Sequence, residues 1–429
     1  MVGSPNTNID TLRKAAEAGD AAAQYALAGA LSSTGERAEM DRWLNAAAAQ
    51  ENSDALYTLA TRCFDERSGA EEAASLLARA AAAGSMDAKR LLGVLYAEGL
   101  GVDPDWEEAI SSVIEAGRAG SPAAMRELAM LLFAHDPDGS DGAALIANAA
   151  PRDAVASIIT VRRAASGRAF CDAAKAAQVM QKLKMANYPD AVALSAALEA
   201  RRQETPQPAS APPIDPNWDR ISALLSDAPR AQAIAAQEVC ASPSARVFHN
   251  AYTLEECEYV IASAARLLAP SLIVDPQTGI SRQDDYRTSL TAVMAPVDLD
   301  LALVMLTGRM AQLAERPVDT GEFLGVLCYS PGQEYRAHFD WLPPGPELER
   351  SGQRITTALI VLNDEYEGGE TNFLSPGLKF KGASGDLLVF QNILADGKPD
   401  PATRHSGMPV TKGVKFLGSR WFRENKYTY

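Results

Sequence analysis

Histidine is scarce in this chain, with four in 429 residues. The five cysteines, Cys63, Cys171, Cys240, Cys257 and Cys328, form no C-x-x-C pair. That argues against a disulfide framework and a cysteine zinc site, and it suits a reducing compartment. No uninterrupted apolar run reaches membrane-spanning length, and the opening residues lack a basic stretch followed by an apolar one. Neither a span nor a signal peptide is therefore expected. Positive charge is also short: 40 Lys and Arg stand against 55 Asp and Glu, a formal net charge of −15. Nucleic-acid binding needs a clustered basic surface, so no such partner is expected. These absences predict a cytoplasmic protein without a membrane or nucleic-acid partner.

What is present divides into two halves of different period. The length exceeds one ordinary core and suggests two or three domains. From about residue 10 to 200 the chain is rich in Ala, Leu and Glu, with apolar residues at helical spacing. One phrase recurs there: a small or polar residue, three variable positions, Ala, then an apolar helix. It starts at Gly19, Glu51, Gly84, Gly120, Ala150 and Asn187, steps of 30 to 37 residues, the period of a helix–turn–helix solenoid. The clearest unit runs from Gly84 to Gly120. Leu91, Leu92, Leu95 and Tyr96 form its first apolar stripe, Gly99 to Val102 its turn, and Asp103-Pro104 opens its second helix. This unit resembles a Sel1-like repeat, a relative of the tetratricopeptide repeat. The alternative reading of the Ala-rich stretch is an irregular helical bundle. Repeat arrays usually present a concave surface to protein or peptide, an analogy from architecture.

Residues 201–217 are rich in proline and polar residues and read as a linker. A helical segment is expected at about 218–237. Beyond it the pattern turns to strands at ARVFHNAY, GEFLGVLCY, RITTALIVLN and GDLLVFQ, an antiparallel β-domain over 218–429. Two helices are expected among them. TLEECEYVIASAARLL opens with Thr253 and Glu256 placed for a capping box, and DLDLALVMLTGRMAQLAE packs on the sheet.

The candidate chemistry lies in YSPGQEYRAHFD, Tyr329 to Asp340. On a strand His338 and Asp340 share a face. A β-barrel can bring the distant His405 beside them. Two imidazoles and a carboxylate then occupy three positions of an octahedral ion and leave three open, the signature of non-haem Fe(II) oxygenases. H-x-D alone is a weak signal. Lys415, ten residues after His405, and Tyr329, nine before His338, are placed to sit deeper in the same pocket. A buried lysine there calls for an anionic ligand; the alternative is a surface charge.

From about Arg246 to Glu424 the chain resembles the prolyl 4-hydroxylase family of 2-oxoglutarate oxygenases. The matching strings are Y-x-P-G-Q-x-Y-x-x-H-x-D, E-G-G-E-T (Glu367–Thr371), G-D-L-L-V-F (Gly385–Phe390) and H-S-G-x-P-V-x-x-G-x-K-F followed by W-F-R-E (His405–Glu424). The resemblance implies a double-stranded β-helix, or jelly roll, with flanking helices, behind the N-terminal solenoid. It implies His338, Asp340 and His405 as Fe(II) ligands. Lys415, Tyr329 and Thr357 would receive the distal carboxylate of 2-oxoglutarate. Tyr335 and Trp421 would lie near iron and a peptide substrate, or serve in ordinary packing. Arg354 opens a strand in the family pattern. The stretch Val274–Ser289 resembles a loop that closes over peptide, with Arg287 and Ser289 its notable residues, or is a plain surface loop. Departures are Gly325-Val326-Leu327-Cys328 in place of Gln-Val-Leu-Arg, Lys415-Phe416 in place of Lys-Trp, and a short segment from Trp341 to Gln353, which puts substrate identity in doubt. The implied reaction uses Fe(II), 2-oxoglutarate and O2, with ascorbate as a reductant, and hydroxylates a prolyl residue of a protein or peptide recruited by the repeats. Asp340 favours hydroxylation, since related halogenases lack that carboxylate. The alternatives are hydroxylation of another residue or a free amino acid, and a repeat scaffold whose oxygenase is weak.

Overall fold

A computed structural model describes residues 5–33, 35–64, 69–204, 215–227, 233–274 and 281–427. By internal contacts the chain forms two compact units, Met1–Ala124 and Met125–Tyr429.

The first unit is built of helices packed as consecutive antiparallel neighbours: Pro5–Glu17, Ala21–Ser32, Arg37–Ala48, Ser53–Cys63, Ala70–Ala82, Met86–Glu98 and Trp106–Arg118. The recurring phrase has a structural cause. Its first residue ends one helix in the left-handed region, at φ 94° for Gly19, 58° for Glu51, 98° for Gly84 and 92° for Gly120. The next residue caps the following helix: Asp20, Asn52, Ser85 and Ser121 each accept a backbone N–H of its first turn. The alanine of the phrase is then turned inward, and Ala55, Ala88 and Ala124 are fully buried. A larger side chain there would hold neighbouring helices apart. At Ala150 the phrase does not work this way, because Ala150 is right-handed and Ala154 exposed. The second helix of the Gly84 unit starts at Trp106, not at Asp103-Pro104, because Asp105 carries the cap.

The division falls within the helix Pro122–His135. The helices Ser140–Ala149, Ala154–Ala165, Ala173–Met185 and Ala191–Glu204, grouped by sequence with the repeats, belong by contacts to the second unit. Buried polar contacts tie them to the helices of the β-domain. Arg126 reaches the Tyr259 hydroxyl at 3.0 Å and Asp300 at 3.4 Å, and pairs with Asp153. Glu127 accepts the Leu301 N–H at 3.2 Å, and Ser166 donates to Glu258 at 2.9 Å. Within the expected linker, 201–204 continue the last of these helices, while 205–214 lie outside the described residues. The helix expected at 218–237 stops at Leu225, and Gln237–Cys240 is a strand.

Two large antiparallel sheets make the β-domain, beside two two-stranded ones, Ile273–Val274 with Ser281–Arg282 and Glu367–Gly368 with Val410–Lys412. The larger has the order Gln237–Cys240, Ala245–Phe248, Leu387–Gln391, Arg354–Val361, Lys415–Arg423, Gly325–Tyr329, Leu290–Val293, Ala269–Pro270. The smaller runs Leu378–Phe380, Thr371–Phe373, His405–Gly407, Tyr335–His338. Strand alternation sends Val247, Leu327, Leu359, Val361, Leu388, Phe390 and Leu417 to one face of the larger sheet, where they meet Phe373 of the smaller. The outer face of the larger sheet is apolar too, with Val326, Ala358, Ile360, Leu387 and Phe422 buried. Helix Leu254–Ala264 opens with the expected capping box of Thr253 and Glu256, and Leu301–Leu313 is capped by Asp300. An N-terminal helical array followed by a jelly-roll domain is therefore the architecture. No helix among the described residues is long and apolar enough to cross a membrane.

Candidate active site

His338 ends the strand Tyr335–His338, and His405 begins the strand paired with it; the register places the two directly opposite. Asp340 lies two residues on. Opposite residues of an antiparallel pair share a face, and the bend that follows the strand turns the Asp340 carboxylate towards both rings. One ligand atom from each lies within 4.8 Å of the others. His338 Nε2 is 3.6 Å from Asp340 Oδ1, and His405 Nε2 is 3.9 Å from Asp340 Oδ2.

The backbone selects the tautomer of both rings. His338 Nδ1 meets the Arg336 carbonyl at 2.8 Å and His405 Nδ1 meets that of Thr403 at 2.9 Å. A carbonyl only accepts, so each Nδ1 carries the proton and each Nε2 offers a lone pair. Burial, with the His338 ring beside it, pushes the His405 imidazole down to about 4 against the pull of Asp340. Burial opposes the Asp340 charge, but the two imidazoles and the Thr357 hydroxyl outweigh it and keep the carboxyl well below its usual range. At neutral pH the cluster thus presents a neutral His405 and an ionised Asp340. Two imidazole nitrogens and one carboxylate suit a divalent iron, with three positions left for other ligands.

Lys415 and Tyr329 face each other across neighbouring strands. Lys415 Nζ donates to the Gly369 carbonyl at 2.7 Å and lies 5.4 Å from the Tyr329 ring centre. It forms no salt bridge among the described residues, though it is 3% exposed. Burial pushes this amine down to about 8, only partly offset by Glu370. A buried cation with two N–H donors to spare can receive an anion, and its chemistry suits the far carboxylate of a dicarboxylic 2-oxo acid. Gly369 can approach because it holds φ 72°, and a Cβ there would stand 3.2 Å from Lys415 Cδ. The E-G-G-E-T string therefore shapes the anion end of the pocket.

The other expected residues gather around this pair of features. Tyr335 stacks on the His338 ring, with centroids 3.5 Å apart and planes 15° from parallel. The Arg287 guanidinium sits 4.9 Å above Tyr335, and its buried Nε has no partner among the described residues. Arg287 and Ser289 face the Tyr329 hydroxyl, but burial wins and raises that phenol above its ordinary range. Of Val274–Ser289, residues 275–280 lie outside the described residues. Its later part runs along the metal strand: Thr288 exchanges bonds with Glu334, Tyr286 accepts the Arg336 N–H, and the Tyr286 hydroxyl bonds the Ala337 carbonyl. Trp421 stands opposite Thr357 on the inner face, and its buried Nε1 has no partner. Arg354 stacks 3.8 Å over the Trp421 ring and is held by both oxygens of Glu322, at 2.6 and 2.9 Å.

Thr357 has a different partner from the one expected. Its hydroxyl bonds Asp340 Oδ2 at 2.7 Å and Asn392 Nδ2 at 2.9 Å. Its one proton is committed to Asp340, which leaves none to donate to a distal carboxylate. Asn392, Tyr286 and Glu322 were not read from the sequence. Each acts through a partner 32 to 101 residues away, and no local spacing signals that.

Residues 324–423 match the model of the 2OG-Fe(II) oxygenase superfamily. Prolyl 4-hydroxylase 1 of Arabidopsis thaliana is 34% identical over 197 residues, 43% of this chain and 70% of that protein. Among solved structures, the viral collagen prolyl hydroxylase of Paramecium Bursaria Chlorella virus-1 matches at 22% identity and a TM-score of 0.35, over 43% of this chain and 98% of that one. A Sel1 repeat protein from Oxalobacter formigenes matches at 23% identity and a TM-score of 0.38, over 43% and 80%.

Proposed function

Because the chain belongs to the prolyl 4-hydroxylase family of 2OG-Fe(II) oxygenases, we propose that it hydroxylates a prolyl residue of a protein or peptide, which the helical repeats recruit. The observation that carries the reading is the pairing of a convergent His338–Asp340–His405 cluster with a buried, salt-bridge-free Lys415 on the interior of one jelly roll. The metal with 2-oxoglutarate and O2 supplies C–H oxidation coupled to decarboxylation of the oxo acid to succinate and CO2, with ascorbate as a reductant.

The chain's own residues bind and orient. His338, Asp340 and His405 hold the iron through Nε2, a carboxylate oxygen and Nε2. Lys415 takes the distal carboxylate of 2-oxoglutarate, and the Tyr329 hydroxyl, kept protonated by burial, donates to the same end. Phe373 and Phe390 pack on His405 with centroids at 5.5 and 5.3 Å and keep water from its back. Tyr335, Arg287 and Trp421 line the metal end, where Arg287 Nε and Trp421 Nε1 are buried without a partner among the described residues.

The test is incubation of the full-length protein with Fe(II), 2-oxoglutarate and a cell lysate, followed by mapping of +16 Da sites by mass spectrometry, with His338→Ala in parallel. Marks on proline that vanish in the variant are expected. Marks confined to other residues or to free amino acids overturn the prolyl reading. Succinate release no greater than that of His338→Ala overturns the oxygenase reading.

A further inference from the structure

Asp340 differs from the two histidines in how it is held. Their rings are fixed by backbone carbonyls, whereas Asp340 Oδ2 is bonded by another side chain, Thr357, which is bonded in turn by Asn392. We infer that Thr357 and Asn392 are positioning residues that hold Asp340 Oδ2 by a one-way chain of hydrogen bonds and leave a single oxygen, Oδ1, to the metal. The inference rests on the metal reading of the cluster.

The direction of the chain follows from proton counting. An ionised carboxylate only accepts, so the 2.7 Å bond to Oδ2 is donated by the Thr357 hydroxyl. A hydroxyl has one proton. Its 2.9 Å contact with Asn392 is therefore donated by the amide. Thr357 and Asn392 are fully buried and Asp340 is 4% exposed, so water does not compete for these bonds. The amide orientation comes at a cost, since Asn392 Oδ1 is left buried without a partner. Turning the amide over would set that oxygen against the lone pairs of a hydroxyl whose proton is already used. Asp340 thus dictates the orientation of Asn392 through Thr357.

Both supports are rigid. Thr357 lies within the strand Arg354–Val361, opposite Phe390 on one side and Trp421 on the other. The Asn392 N–H donates to the Ile355 carbonyl, and its own carbonyl accepts from Asp400, both at 2.9 Å. With Oδ2 occupied, the carboxylate is held to one-oxygen ligation. Ligation through both oxygens would consume a position that the oxo acid or dioxygen needs.

The experiment compares wild type with Thr357→Val, Thr357→Ser, Asn392→Leu and His338→Ala in the full chain. Mn(II) affinity is measured by calorimetry, and the visible spectrum of the Co(II)-loaded protein is recorded. Thr357→Val is expected to weaken Mn(II) roughly 10- to 100-fold, the usual effect of removing a partner of a metal ligand, and to change the Co(II) spectrum. Thr357→Ser, which keeps the hydroxyl, restores both, and Asn392→Leu lies between. Thr357→Val within twofold of wild type, with an unchanged Co(II) spectrum and His338→Ala unable to bind, overturns the inference. Binding by His338→Ala equal to wild type overturns the metal reading instead. Should Thr357→Val fail to fold by circular dichroism, Asn392→Leu is judged by the same limits.

Discussion

Removing the charge of Lys415 tests the site at its most unusual group. Burial lowers this amine from 10.5 to about 8, which means the cation is less stable here than in water by about 3 kcal/mol, at about 1.4 kcal/mol per tenfold in protonation. In the unliganded protein that penalty is felt in full below pH 8 and relieved as pH rises towards 10.5, where the unfolded chain would also lose its proton. A dicarboxylate that pairs with Lys415 reverses the balance by favouring the charged form. Binding above pH 8 must therefore take up a proton. The dissociation constant for 2-oxoglutarate is expected to be flat below about pH 7 and to rise about tenfold per pH unit above 8. Lys415→Met, which keeps length and loses charge, should weaken binding by about 1.5–3 kcal/mol, or roughly 10- to 150-fold at pH 7, and abolish the slope. The assay is anaerobic calorimetry with Mn(II) in place of iron, in buffers of different ionisation enthalpy to count the proton. An equal slope in wild type and Lys415→Met refutes the reasoning, because some other group would then carry the proton.

Two further perturbations probe the frame around the site. Glu322→Gln leaves the buried Arg423 and the partly buried Arg354 without their shared carboxylate, to which both are bonded at 2.6 Å; a loss of about 3–5 kcal/mol in urea unfolding is expected, and a loss under 1 kcal/mol contradicts the contact. Arg126→Met removes the cation from buried Asp300 and from Tyr259, with a similar cost expected. By the same contacts, a chain beginning at residue 218 should fail to give a sharp thermal transition, while one beginning at Met125 should give one. Equal cooperativity of the two in scanning calorimetry would show that the helices from Pro122 to Glu204 contribute no stability to the β-domain.

The sequence by itself determined those features whose physics is local. The short spacing of His338 and Asp340 keeps them together, though the strand ends at His338 and a bend carries Asp340. The repeated phrase is legible because a left-handed residue, a cap and a small buried residue must follow one another at each helix junction. The Thr253–Glu256 capping box is local in the same way. The sequence placed Lys415 inside the barrel, and the structure buries it there. Tertiary structure decided what depends on register and on partners far along the chain. It set His405 directly opposite His338 across 67 residues, and it turned the Thr357 hydroxyl to Asp340. It also bound Arg354 to Glu322 and thereby fixed the plane of Trp421, and it attached the later helices to the β-domain. No window of sequence contains both members of such a pair. A hydroxyl or a guanidinium bonds whatever the folded sheets bring within reach, and only the folded sheets specify what that is.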